Sequence, residues 1–288
     1  MGIYLRPTRL DEALDALASR SGESGEPGGR GWTVLAGATD IYPARVGRVF
    51  DEDILDVTGI DALRAIDRDG GSIRIAAGAT WTDLLRTDLP PAFDGLKAAA
   101  RAVGGVQIQH RGTLCGNVCN ASPAADGVPN LIALDARVEL RSATGRREVP
   151  VGDFIVGNRR TVRRPDELVT ALLVPEPARG TRSAFRKLGS RAYLVISIAM
   201  VAVVLEVAGD GSIALVRIAI GACSEVATRL PAAEARLLGQ SADAALTGRI
   251  TAADLADLRP IDDVRASAAY RREAALVLVR RAVGEVLQ

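Results

Sequence analysis

The 288-residue sequence has a single histidine, His110, and only three cysteines, Cys115, Cys119 and Cys223. One imidazole excludes chemistry that needs two. A Cys/His zinc centre would have to recruit every scattered thiol plus that histidine, so no metal site is expected. A Ser-His-Asp triad would have to use His110, and no G-x-S-x-G elbow is present. An iron–sulfur cluster needs four ligands, normally thiolates, which this chain does not supply. Three thiols make no disulfide framework and suit a reducing compartment, so a cytoplasmic location is expected. Neither charge dominates: 36 basic residues face 35 acidic ones, for a net charge of +1. Without a long basic run, nucleic acid and acidic membranes are poor partners. The longest apolar run, 195–205, is too short to span a bilayer. The N-terminus shows no signal-peptide pattern.

What is present is an ordinary complement of charge, 25%, and enough apolar residues, 48%, for sizeable cores in two or three compact units. Residues 2–6 read as a strand. Thr8 is placed to cap a helix after Pro7, with Asp11 three residues on. Leu10, Ala13, Leu14, Leu17 and Ala18 fall on one helical face. A Gly/Ser-rich loop is expected over 21–31, then a strand over 32–36. Further strands are expected at 54–57, 73–77, 138–141 and 168–174. Thr80 caps a short helix, a helix over 93–103 stops at Gly104-Gly105, and another starts at Pro129. Prolines punctuate 175–181, the expected boundary. Beyond it two long strands, 196–207 and 213–222, flank Asp210-Gly211, a hairpin signal. Helices follow over 231–238, 252–258 and 264–286. Strands first and helices after indicate a separate α+β unit.

Two stretches carry chemistry. In "LAGATDI", residues 35–41, a strand runs into Ala36, Gly37, Ala38, Thr39 and Asp40. Small residues let consecutive main-chain N–H groups approach an anion, as a diphosphate site requires. The pattern is neither G-x-G-x-x-G nor a P-loop. A tight strand-to-helix turn capped by Asp40 would use the same residues. In "RGTLCGNVCNASPAAD", residues 111–126, Gly112, Thr113, Gly116 and Asn117 again suggest a backbone cradle. Asn117 both donates and accepts, which suits a sugar or ribityl hydroxyl, and Asp126 would accept from a polyol. The alternative is a glycine-bearing turn before a helix capped by Asp126. Cys115 and Cys119 are spaced C-x-x-x-C and read as small buried hydrophobes. His110 reads as a polar loop residue.

Taken together, "LAGATDI", "GAT" at 78–80, "QIQHRGTLCGNVCNASPAAD" at 107–126 and "FRKLGSR" at 185–191 resemble the flavoprotein (medium) subunits of molybdenum hydroxylases, the carbon monoxide dehydrogenase and xanthine dehydrogenase-like enzymes. The resemblance covers nearly the whole chain. It implies an α+β protein: a two-subdomain FAD-binding domain of the vanillyl-alcohol oxidase/MurB-like type over 1–176, with subdomains of about 1–56 and 57–176. A C-terminal domain over 181–288 would follow, with a three-stranded antiparallel sheet and helices. It implies FAD held by Ala36, Gly37, Ala38, Thr39 and Asp40 near the diphosphate, and by Thr113, Leu114, Cys115, Gly116 and Asn117 from the other subdomain. Asp126 would lie on cofactor hydroxyls and Lys187 near the flavin ring, with no catalytic residue in this chain. Partners would be a large molybdopterin-containing subunit and a small [2Fe–2S] subunit, in a heterotrimer that pairs into a dimer. Electrons would pass from the clusters through FAD to NAD, O2 or a quinone. The rival from another class is a stand-alone FAD-dependent alcohol oxidase, which would need a base over the flavin and usually a covalent link. Two departures stand out. Cys115 occupies a position where relatives carry glycine, and Leu194-Val195-Ile196 lacks an acid that relatives often place by the ring.

Overall fold

The computed structural model describes residues 2–20, 31–47, 49 and 51–288. All but the last residue of the loop expected at 21–31 lies outside them. The first sheet contains β1 (Tyr4–Leu5), β2 (Thr33–Leu35) and β3 (Ile54–Asp56), all parallel, in the order β1-β3-β2. Helix α1 (Leu10–Arg20) is the crossover that parallel strands need. Its start is closed by Glu12, which accepts the N–H groups of Thr8 and Arg9, and not by Asp11. Ala13, Leu14 and Leu17 are buried as expected, whereas Ala18 is exposed.

The second sheet is antiparallel, in the order β4-β5-β10-β6-β7. Its strands are β4 (Ile66–Asp69), β5 (Ser72–Ala76), β6 (Arg137–Ser142), β7 (Gly145–Pro150) and β10 (Leu168–Pro175). A small hairpin pairs β8 (Ile155–Gly157) with β9 (Arg160–Thr161). Strands β4, β7, β8 and β9 have no counterpart in the sequence reading. They are short or carry charge at half or more of their positions, so alternation is weak. Between β5 and β6 come α2 (Trp81–Arg86), α3 (Asp94–Ala102), α4 (Val106–Gln109), α5 (Leu114–Asn120) and α6 (Gly127–Ala133), and α7 (Val151–Phe154) follows β7. Thr80 forms a capping box with Asp83. α6 begins two residues before Pro129.

The third sheet has four strands where three were expected: β11 (Arg182–Leu188), β12 (Ala199–Val207), β13 (Ile213–Gly221) and β14 (Thr228–Arg229), antiparallel in that order. The extra strand is two residues long, too short to leave a periodic signal. Helices α8 (Pro231–Leu237) and α9 (Ala268–Val286) pack on this sheet. α9 starts at Ala268 and not at 264, because Ser267 caps it and Asp263 ties the preceding turn by accepting from the N–H of Arg265 and of Ala266. The protein is α+β.

Strand β12 shows where the core sits. Ala199, Val201, Val203 and Leu205 pack in one cluster with Ala275, Val279 and Ala282 of α9. Met200, Ala202 and Val204 belong to the other cluster, with Leu131 of α6 and the interior of the first two sheets. Both faces of β12 are therefore buried, which is why the strand reads as one continuous apolar run. The third sheet shares a core with the rest of the chain.

Candidate functional site

Two loops meet at the C-terminal end of the parallel sheet, a place where α/β sheets bind ligands. Strand β2 delivers residues 36–40; α4 and the turn after it deliver residues 110–113. Gly37 is forced by their contact. A Cβ on it would lie 1.9 Å from the carbonyl oxygen of Arg111. Ala38, next in the loop, is left-handed, with φ 58°, a conformation that costs a non-glycine residue energy and so marks a position under constraint. Among the described residues, the main-chain N–H groups of Gly37, Ala38, Thr39 and Asp40 donate to no protein acceptor. The loop does not end in an Asp40 cap. The Asp40 carboxylate instead pairs with Arg159, 2.8 Å away.

On the facing side Thr113 caps α5 by accepting the N–H of Gly116 at 2.9 Å. The turn is pinned to α2, since Trp81 N–H donates to Gly112 and Leu114 N–H to Ala79. Between the loops runs a cleft of about 480 Å3, within the usual range for cofactor sites. Residues 36–40, Thr113, Cys115, Gly116 and Asn117 all line it. Asn117 Oδ1 accepts from the N–H of Gly127 at 3.2 Å, so its NH2 is what it presents.

Three expected residues lie elsewhere. Leu114 is fully buried, and its N–H is spent on Ala79. Asp126 and Lys187 form a buried ion pair of 2.6 Å, and Ser197 Oγ donates to the other Asp126 oxygen at 2.7 Å. Neither residue lines the cleft. The Asp126 carboxylate does not cap α6. Burial pushes its carboxyl above the usual carboxylate range, against the pull of Lys187 and Ser197. Lys187 also reaches the carbonyl of Ala102, next in the chain to the cleft residue Val103.

Cys115 sits in the first turn of α5 with ordinary helical backbone, so the thiol in the glycine position brings no strain. It is buried, and burial raises its thiol well above the ordinary value. Cys119, one turn on, is exposed on the cleft wall, against the expectation of burial. Cys119 and Asn120 were missed; carrying the α5 face forward by one turn from Cys115 and Gly116 would have found them. Trp32, Arg163, Leu168 and Val169 also line the cleft, and no motif marks them. Arg163 donates to two carbonyls, of Arg164 and Glu167, and no carboxylate among the described residues pairs with it. His110 lines a smaller adjoining pocket of about 110 Å3 with Arg64 and Arg111, which shares Ala36, Gly37, Val57 and Thr113 with the cleft.

A cleft with free amides on one wall and glycine-tight contact between its loops suits a nucleotide cofactor. Residues 1–177 match the family described as "FAD binding domain in molybdopterin dehydrogenase", and residues 183–286 match "CO dehydrogenase flavoprotein C-terminal domain". The chain belongs to the FAD-binding subunits of the molybdopterin dehydrogenases. The glyceraldehyde dehydrogenase medium chain of Sulfolobus acidocaldarius is 30% identical over 98% of this chain and 97% of its own length. The carbon monoxide dehydrogenase medium chain of Afipia carboxidovorans is 31% identical over 97% of this chain and 94% of its own. The structure of reconstituted CO dehydrogenase from Oligotropha carboxidovorans superimposes with a TM-score of 0.88 at 27% identity, covering 100% of this chain and 98% of that one. Like these, the chain is a flavoprotein subunit of an oxidoreductase, and its cofactor is FAD.

Proposed function

We propose that this subunit holds one FAD non-covalently in the cleft, receives electrons from the [2Fe–2S] clusters of a small partner subunit and passes them to an external acceptor such as NAD, O2 or a quinone. A large molybdopterin-containing partner oxidises the substrate. The observation that carries this is the row of unspent amides at 37–40 facing a cleft whose opposite wall is Thr113, Gly116 and Asn117. Those amides suit a diphosphate, Arg163 adds a cation on the cleft wall with no carboxylate partner among the described residues, and the Asn117 NH2 suits a hydroxyl of the ribityl chain or ribose. Lys187, paired with Asp126 and bonded to the Ala102 carbonyl, braces the chain next to the cleft residue Val103. FAD when bound supplies the redox chemistry; the protein's residues position it and set its surroundings.

We assign the cofactor to residues 1–176, in two subdomains of about 1–56 and 57–176, of the vanillyl-alcohol oxidase/MurB-like type. Residues 181–288 form the second unit, and the complex works in the cytoplasm as a heterotrimer. Two relatives called medium chains support a three-chain assembly. Among the described residues no helix is long and apolar enough to cross a membrane.

The test is reconstitution. The purified chain should take up FAD and release all of it on acid precipitation. Substrate should bleach the flavin absorbance only when the two partner subunits are present. Turnover of an alcohol by the chain alone, or flavin that stays on the precipitate, would overturn this reading in favour of a stand-alone oxidase.

A further inference from the structure

We propose that Arg159 is a latch across the mouth of the cofactor cleft, setting how fast FAD enters and leaves rather than how tightly it binds; this rests on the FAD reading above. One guanidinium nitrogen of Arg159 donates to Asp40 Oδ2 at 2.8 Å and to Asn120 Oδ1 at 2.7 Å. Both acceptors line the cleft, Asp40 on the wall built from the first sheet and Asn120 on α5. A side chain that bonds to both walls yet is itself more than half exposed, at 57%, lies at the rim between cleft and solvent.

The residue is held there from three directions. Arg159 sits at the tip of the β8–β9 hairpin in the left-handed region, φ 55°. Its N–H donates to the carbonyl of Ala121, itself left-handed at the end of α5. Its neighbour Asn158 donates its N–H to Glu225, on the connection from β13 to β14 in the third sheet. A backbone strained at two places and tied to a separate sheet orients one side chain across the opening. The hydrogen bond to Asp40 raises the Arg159 pKa. The latch joins the two walls through the protein's own groups. Breaking it is a step common to entry and exit, so its loss speeds both and cancels in the affinity.

Stopped-flow flavin fluorescence on the full-length chain tests this. The wild-type chain must first bind FAD; a chain that binds none overturns the cofactor reading and the latch with it. Arg159→Ala, and Arg159→Gln, which keeps a neutral donor, should each speed entry and exit about fivefold at low salt, the most an exposed ion pair supports. The Kd should stay within about twofold, as equal changes in both rates require. In about 1 M salt, where screening reaches about 3 Å, the wild-type rates should rise to meet those of the variants. The variants share every general effect of salt, so the convergence reports the pair itself. Unchanged rates in the variants would overturn the latch while leaving the cofactor reading intact. Faster exit with proportionally weaker binding would overturn it too, since Arg159 would then contact the cofactor directly.

Discussion

At residue 37 the requirement is for hydrogen in place of a side chain. The glycine is legible in the sequence as a point of close approach to a ligand; in the structure the approach is first to Arg111 of the second loop. Gly37→Ala must push the two loops apart. It should weaken FAD binding about tenfold, equivalent to about 1.4 kcal/mol, in a fluorescence titration. The chain should still fold, since the loops can separate at the surface. Asp126 and Lys187 pose a different residue-scale problem. They are 61 positions apart and were expected at separate points on the cofactor, yet they pair with each other in the interior. Removing one partner of a buried pair strands the other. Lys187→Met should therefore cost about 3 kcal/mol in urea unfolding, and adding Asp126→Asn should recover most of it. Full additivity of the two substitutions would show that the pair is not coupled.

At the scale of elements, local signals located what local chemistry controls. Thr80 caps the helix that follows it, and Asp210-Gly211 turns the β12–β13 hairpin, with Gly211 at φ 84°. Elements whose existence depends on a distant partner left little trace. β14 has two residues that pair only with Ala219 and Ile220, and β7 carries charge at half its positions. The start of α9 was misplaced because the Asp263 turn looks helical in apolar pattern alone. That turn gives a pH prediction. Arg265 first, and then buried Arg271, hold the Asp263 carboxyl well below its ordinary value of 3.8. A depressed carboxylate adds stability that is fully present above the ordinary value and is lost as pH falls through the folded value. Thermal stability of the wild type should thus decline from about pH 5 downward. Asp263→Asn should be less stable at neutral pH and should lose part of that acid slope. An unchanged slope would remove Asp263 from the acid response.

At the scale of the whole molecule, the third sheet is not an appendage. Met200, Ala202 and Val204 of β12 lie in the same core as Leu131 of α6, and Ala222 N–H donates to Pro123 in the second stretch. Calorimetry should show one cooperative unfolding transition for the full chain. A fragment ending at 177 should expose the covering face of α6 and aggregate or lose FAD binding; a monomeric fragment with full FAD affinity would refute the shared core. The sequence by itself determined part of the chemistry available: one histidine and three cysteines argue against a Cys/His zinc centre, an iron–sulfur cluster and a Ser-His-Asp triad, and two glycine-bearing loops in a fixed order carry the resemblance to flavoprotein subunits. It also determined the elements that local caps, turns and strong periodicity control. Only the tertiary structure decided which groups remain free to act. It spends Asp126 and Lys187 on each other, turns Leu114 inward, leaves the amides of 37–40 without an acceptor among the described residues, and carries Arg159 from a distant hairpin to Asp40. Those outcomes depend on contacts between residues tens to a hundred positions apart, whose burial and hydrogen bonds no local pattern encodes.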